Sequence, residues 1–256
     1  MDDFSKTKIW RYMDLGRFAS LLTSRSLYFA CPTDLQDPYE GLLPRSYTEA
    51  MSTMLQPMVD DFLSLRAQLV SLGRDTQRLG DSLATLPQRM AAVQKVATSK
   101  FGVSCWHANE HESDAMWKLY SASGQGIAIE SSVEQLRASI GDRKDLVIDR
   151  VRYADFDRDE IEKGHKHLSL FMKRKCFEHE KEVRATVLLP AQGKGILVPC
   201  NLDVLVTSLH VSPLVEKYVK DVIEALCSGN TQALNKPVRQ SILYCAPDYQ
   251  IDIKTD

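Results

Sequence analysis

The chain has 256 residues, 44% of them hydrophobic and 26% charged, with a formal net charge of -2. This balance excludes a disordered, collagenous or disulfide-dense small protein, and the length suffices to bury a sizeable core. Near-neutral charge gives no bulk electrostatic case for nucleic acid or an anionic membrane surface.

No run approaches the roughly 18 consecutive apolar residues of a membrane span, so no membrane partner is expected. The opening MDDFSKTKIWRYMD has no signal-type apolar core. The six cysteines lie far apart with no CxxC pair, which reads as free, buried thiols. Together these features predict a cytoplasmic protein.

Lys8–Met13 is short and aromatic-rich, Leu15, Phe18, Leu21 and Leu22 recur at helical spacing, and Leu27–Ala30 resumes strand character. Pro32 and Pro38 punctuate the loop that follows. Met51, Leu55, Met58, Phe62, Leu65, Leu69 and Leu72 then alternate spacings of four and three. Leu79, Leu83, Leu86, Met90, Val93 and Ala97 repeat the rhythm, so residues 47–99 read as an inserted helical hairpin. Its two seams are expected to bury each other; a homodimer contact through 51–97 and a lid are the alternatives. Pro57 and Pro87 interrupt the two stretches.

Strand character returns at Phe101–Trp106, Gly126–Glu130, Leu146–Tyr153, Glu182–Leu189, Gly195–Pro199 and Val204–Val211. Helices are predicted at Ser113–Ser121, Val133–Ile140, residues 157–177 and Leu214–Cys227. Strands and helices mix without strict alternation. The predicted fold is therefore α+β, a mixed or antiparallel sheet with flanking helices, in one domain over residues 1–256. Neither GxGxxG nor GxxxxGK[ST] occurs, which argues against those nucleotide sites.

Four constellations carry candidate chemistry. His107-Ala108-Asn109-Glu110-His111 matches HxxEH, a zinc-hydrolase pattern that requires one mid-helix face. It follows a predicted strand, so a hydrogen-bonding loop is the competing reading and no metal is expected. Ser113 or Asp114 can cap the next helix, where Met116, Trp117, Leu119 and Tyr120 form either core or, with Trp106, an aromatic wall for a flat ligand. The Ser121–Gly126 turn could approach such a ligand closely. Lys173-Arg174-Lys175 suits a helix end or a phosphate contact. Glu178, Glu180, Glu182 and Arg184 would share one face of a strand, where three carboxylates repel unless paired, metal-bound or solvated. Arg11, between Trp10 and Tyr12, needs a counter-charge, and Glu40, Glu180 and Glu182 are the candidates. Its alternative is a grip on an anionic ligand.

The blocks IWRYMDLGRF (9–18), LYFACPTDLQDPYEG (27–41), VSCWHANEHESDAMWKLYSASGQGIAIE (103–130), KRKCFEHEKEVRA (173–185) and LHVSP (209–213) together resemble the bacterial family termed domain of unknown function 2971. The family name supplies no activity. More distantly, the order is similar to ADP-ribosyltransferases. That resemblance implies NAD as substrate, with Arg11 as first-strand anchor and Tyr28, or Thr33, beside the nicotinamide. Glu180-x-Glu182 would be the carboxylate pair, the later residue binding ribose and the earlier one engaging the acceptor. Ala30-Cys31-Pro32 stands where those enzymes carry Ser-Thr-Ser.

The expected activity is ADP-ribosyl transfer to a protein or nucleic-acid acceptor, or NAD hydrolysis. Glu182 and Glu180 would be catalytic, with Arg11, Tyr28, Trp106, Trp117 and Tyr120 around the cofactor. The alternative is a non-catalytic protein-binding module of a bacterial defence or toxin system, using the hairpin.

Overall fold

The computed structural model describes residues 3–120, 125–160, 168–191, 195–229 and 233–246. Within these, β1 (Lys8–Asp14) leads into α1 (Leu15–Ser24) and β2 (Ser26–Phe29). The segment predicted as a hairpin holds α2 (Arg45–Ser71), α3 (Gln77–Ala84) and α4 (Leu86–Thr98). Next come β3 (Phe101–Ala108), α5 (Asp114–Tyr120), β4 (Gly126–Ser132), α6 (Val133–Ile140), β5 (Val147–Arg150) and β6 (Arg152–Ala154). The chain continues through β7 (Met172–Arg174), β8 (Glu182–Leu188), β9 (Ile196–Pro199), α7 (Leu202–Leu205), β10 (Ser208–Val211), α8 (Lys217–Ser228) and β11 (Val238–Gln240).

The fold is α+β around a seven-stranded mixed sheet in the order β11-β10-β4-β1-β3-β8-β5. β10 and β11 run parallel, whereas β1 is antiparallel to both β3 and β4. No described helix is long and apolar enough to cross a membrane.

The chain divides into two compact units. The first comprises residues 1–27, 106–142 and 198–256, the second residues 28–105 and 143–197. In the first unit, β1 pairs with β4 over seven residues, from Lys8↔Ser132 to Asp14↔Gly126. Ile9, Phe18, Ile127, Ile129, Leu136, Leu202 and Leu209 are fully buried in its core. Asp14 ends β1 and caps α1 by accepting from Arg17 N at 2.7 Å; Ser132 does the same for α6 through Gln135 N at 3.2 Å. The predicted strand Val204–Val211 is broken. Asn201 caps the short helix α7, bonding the backbone N–H of Asp203 and Val204, so strand geometry begins only at Ser208.

In the second unit, β5 pairs antiparallel with β8 and β6 parallel with β7. The helix predicted over 157–177 is not formed in its described part. Leu168–Phe171 is a 3-10 turn, β7 follows, and Lys175–Glu180 is another 3-10 turn. Leu168, Leu170, Phe171 and Met172 are all buried, so the run has no solvent face to give a helix. The part at 161–167, like most of the Ser121–Gly126 turn, lies outside the described residues.

Among the described side chains, the hairpin seams do not bury each other. No residue of the 27-residue α2 is buried, and Met58, Phe62, Leu65 and Leu72 of its seam are exposed.

Candidate functional site

The charged residues of the second unit converge on Arg184. This side chain is 0% exposed, on the central run of β8, and each of its five N–H bonds has an acceptor. Nε and Nη2 grip Glu182 side-on at 2.6 and 3.0 Å, while Nη1 and Nη2 meet Glu40 end-on at 3.0 and 3.2 Å. The fifth bond runs from Nη1 to the Leu170 carbonyl at 2.7 Å. A guanidinium out of water is tolerated because its planar fork is satisfied throughout.

Lys173, on β7, supplies the second cation. Its Nζ lies 2.5 Å from Glu180 and 3.6 Å from both Glu40 and Glu182, above the Phe177 ring. Three carboxylates thus face two cations. Burial alone would raise the Glu182 carboxyl, but Arg184 and then Lys173 hold it below the ordinary carboxylate range. Burial would likewise lower Lys173, yet Glu182, Glu180 and Glu40 keep it above the ordinary lysine value. Cys105 Sγ points into the same cluster, and burial, then Glu182, pushes its thiol far up.

The geometry corrects the one-face reading of the acidic run. Only Glu182 and Arg184 lie on β8; Glu178 and Glu180 belong to the preceding 3-10 turn, and Lys181 between them turns left-handed at φ 40°. The two glutamates therefore sit differently. Glu182 is 3% exposed, its backbone N–H held by the Tyr153 hydroxyl at 2.7 Å, whereas the Glu180 side chain is 16% exposed and outermost. The basic triplet is not a helix end either: Lys173 joins the cluster and Arg174 stacks on Tyr39. Tyr28, on β2, is 48% exposed.

The remaining candidates lie in the first unit. The Arg11 guanidinium sits over Trp106, 5.6 Å from the ring centroid, while Glu40, Glu180 and Glu182 take Lys173 and Arg184 as their cations. Trp106 and Trp117 are each 2% exposed, so they are core side chains in this structure; Tyr120 is 41% exposed. Trp117 packs edge-on against Tyr12 at 4.9 Å, in a cluster with Trp10, Met116 and Ala128. The HxxEH pattern does not form a helical face: His107 is on β3 and His111 in the bend beyond it, where Asn109 donates to the His111 carbonyl. Among the described residues no group of three His, Cys, Asp or Glu is arranged to hold a metal ion.

A second polar chain, unforeseen in the sequence, also lies in the first unit. His210 on β10 meets Glu112 through Nδ1 at 3.2 Å and Glu130 through Nε2 at 3.3 Å. Ser208 donates to Glu130 at 2.6 Å and lies 2.9 Å from His210 Nε2; Lys8 closes the chain on Glu130 at 3.0 Å. Because the serine proton is committed to Glu130, and Ser208 is 3% exposed, this is not a nucleophile awaiting a base. It ties β4, β10 and the start of α5 together, with Trp117 Nε1 also donating to Glu112 at 3.0 Å. Burial would raise both glutamates; bonds from His210, Ser241 and Trp117 to Glu112, and from Ser208 and Lys8 to Glu130, bring them below the ordinary value. The alternation Ser208-x-His210 was the only sequence signal for it.

Comparison with known proteins adds no identity: no family model matches the chain, and no curated protein or solved structure matches it.

Proposed function

We propose that the protein cleaves the nicotinamide–ribose bond of NAD and transfers ADP-ribose to a macromolecule or to water, at the carboxylate cluster of the second unit. The observation that carries this reading is the division of labour in Glu180-x-Glu182. The inner carboxylate is immobilised by Arg184, and the outer one, 16% exposed, is the more accessible, with its charge balanced by Lys173.

Breaking the C–N bond sends its electron pair onto nicotinamide and leaves an oxocarbenium-like carbon. A fixed negative charge beside that carbon lowers the barrier, and a preorganised one needs no reorganisation as the charge develops. In this reading Glu180, the more accessible carboxylate, does this, and it then takes the proton of the attacking hydroxyl or water. Glu182 is a positioning residue that orders Arg184 and Lys173. This exchanges the roles implied by the resemblance, where the later carboxylate meets the ribose. Incubation with labelled NAD and bacterial lysate tests it: label should pass to an acceptor with the wild type and not with Glu180→Gln.

The exposed seam of α2 favours a second reading, in which this helix binds a partner protein or a second copy of the chain. Sedimentation of the full chain against Met58→Glu/Phe62→Glu tests it; identical monomeric profiles and no captured partner exclude that role.

A further inference from the structure

The second unit exposes two helical seams of the same pattern. On α2, Met58, Phe62, Leu65 and Leu72 are between 41% and 73% exposed; on α4, Met90 is 38% and Val93 68% exposed. α2 packs on α3, and α3 on α4, while these seam side chains stay open. Apolar residues recurring every 3.5 positions suit a helix packed against a helix, so the cover that the seams lack is helical.

The charges beside the seams identify that helix. With Phe62 at heptad position a and Leu65 at d, Asp61 stands at g; with Met90 at a and Val93 at d, so does Arg89. Both are exposed, and among the described residues neither forms an ion pair. Antiparallel helices set g against g, so α2 against α4 brings Asp61 to Arg89. Parallel pairing sets g against e, where α4 offers Asp61 only Gln94, and α2 offers Arg89 only Val59 or Arg66. A second α2, laid antiparallel on the first, offers Asp61 no cation at g. The complement of each seam is therefore the other seam, and one chain does not bring the two together.

We infer that the hairpin is the interface of a homodimer, in which α2 of each copy packs antiparallel on α4 of the other. A two-fold axis makes the contact twice and closes both seams into a four-helix core. At 1.5 Å per residue α2 is about 40 Å long and α4 about 20 Å, so α4 of the second copy covers the part of α2 around Met58 and Phe62. This rests on the reading of α2 as a binding helix, names its partner, and is independent of the NAD chemistry.

Analytical ultracentrifugation of the full chain over micromolar concentrations tests the pairing. The wild type should show a monomer–dimer equilibrium. Asp61→Arg and Arg89→Asp should each weaken it about tenfold, because symmetry repeats the like-charge contact, and the two together should restore it. Val93→Glu should abolish it. All these positions are exposed, so circular dichroism should show each variant folded like the wild type. A monomer at every concentration overturns the inference, and so does a dimer indifferent to both reversals or not restored by their combination. Loss of the dimer in Met58→Glu/Phe62→Glu, with no response to Val93→Glu or to the reversals, overturns α4 as the cover and leaves the reading of α2 standing. A monomer whose melting temperature falls with each reversal and recovers with both shows the seams closing within one chain, which also overturns it.

Discussion

Arg184 is the residue on which the second unit's electrostatics depend. Removing one partner of a fully buried ionic group leaves the others charged and unpaired, which costs about 3–5 kcal/mol. Arg184→Met keeps the side-chain volume and strands Glu40 and Glu182, so chemical denaturation should show a loss of that size. A loss below about 1 kcal/mol would mean that the cluster is far more hydrated than its burial indicates. Glu180→Gln removes one carboxylate of a largely buried pair but leaves Lys173 facing Glu40 and Glu182, so it should cost less than the loss of Arg184, about 1–3 kcal/mol. Cysteine chemistry divides on the same physical basis. Cys176 and Cys245 are exposed, whereas Cys105 is part-buried with its thiol pushed far up by its surroundings. Brief alkylation of the native protein at pH 8 should modify the first two and spare Cys105, read by mass spectrometry.

At the scale of elements, the loop after β2 has a strict steric requirement. Gly41 adopts φ 75°, and a Cβ there would lie 2.2 Å from Thr98 Cγ2. Gly41→Ala therefore combines backbone strain with a clash and should cost about 2 kcal/mol or more, loosening the loop that carries Asp37 and Glu40. Thermal melting measures it; an unchanged melting temperature would contradict the geometry. Short elements with matching propensity and caps were legible in the sequence: β1, α1, β4 and α6 stand within two residues of their predicted limits. The stretch 168–180 was not, because most of its first residues are buried and its Arg174 pairs with Asp37 across 137 residues of sequence, information that periodicity does not contain. The Glu180–Glu182 pair was visible as residues, but its asymmetry was not. That difference comes from the left-handed Lys181 between them.

At the scale of the whole molecule, both units place carboxylates where neighbouring donors hold them below the ordinary value of 4.5: Glu182 in one, Glu112 and Glu130 in the other. A depressed folded-state value contributes stability that is complete above the unfolded value and lost as pH falls through the folded one. The denaturant midpoint should accordingly stay level near neutral pH and fall as the pH drops below about 4.5. A midpoint level down to pH 3 would contradict this assignment.

The central claim, that Glu180 serves a reaction at the NAD ribose, is tested most directly by nicotinamide release. The wild type, alone and with lysate as acceptor source, should release nicotinamide from NAD. Glu180→Gln, shown by circular dichroism to be folded at the assay temperature, should do so at least a hundredfold more slowly. No release by the folded wild type under either condition, or equal release by the variant, would contradict the account.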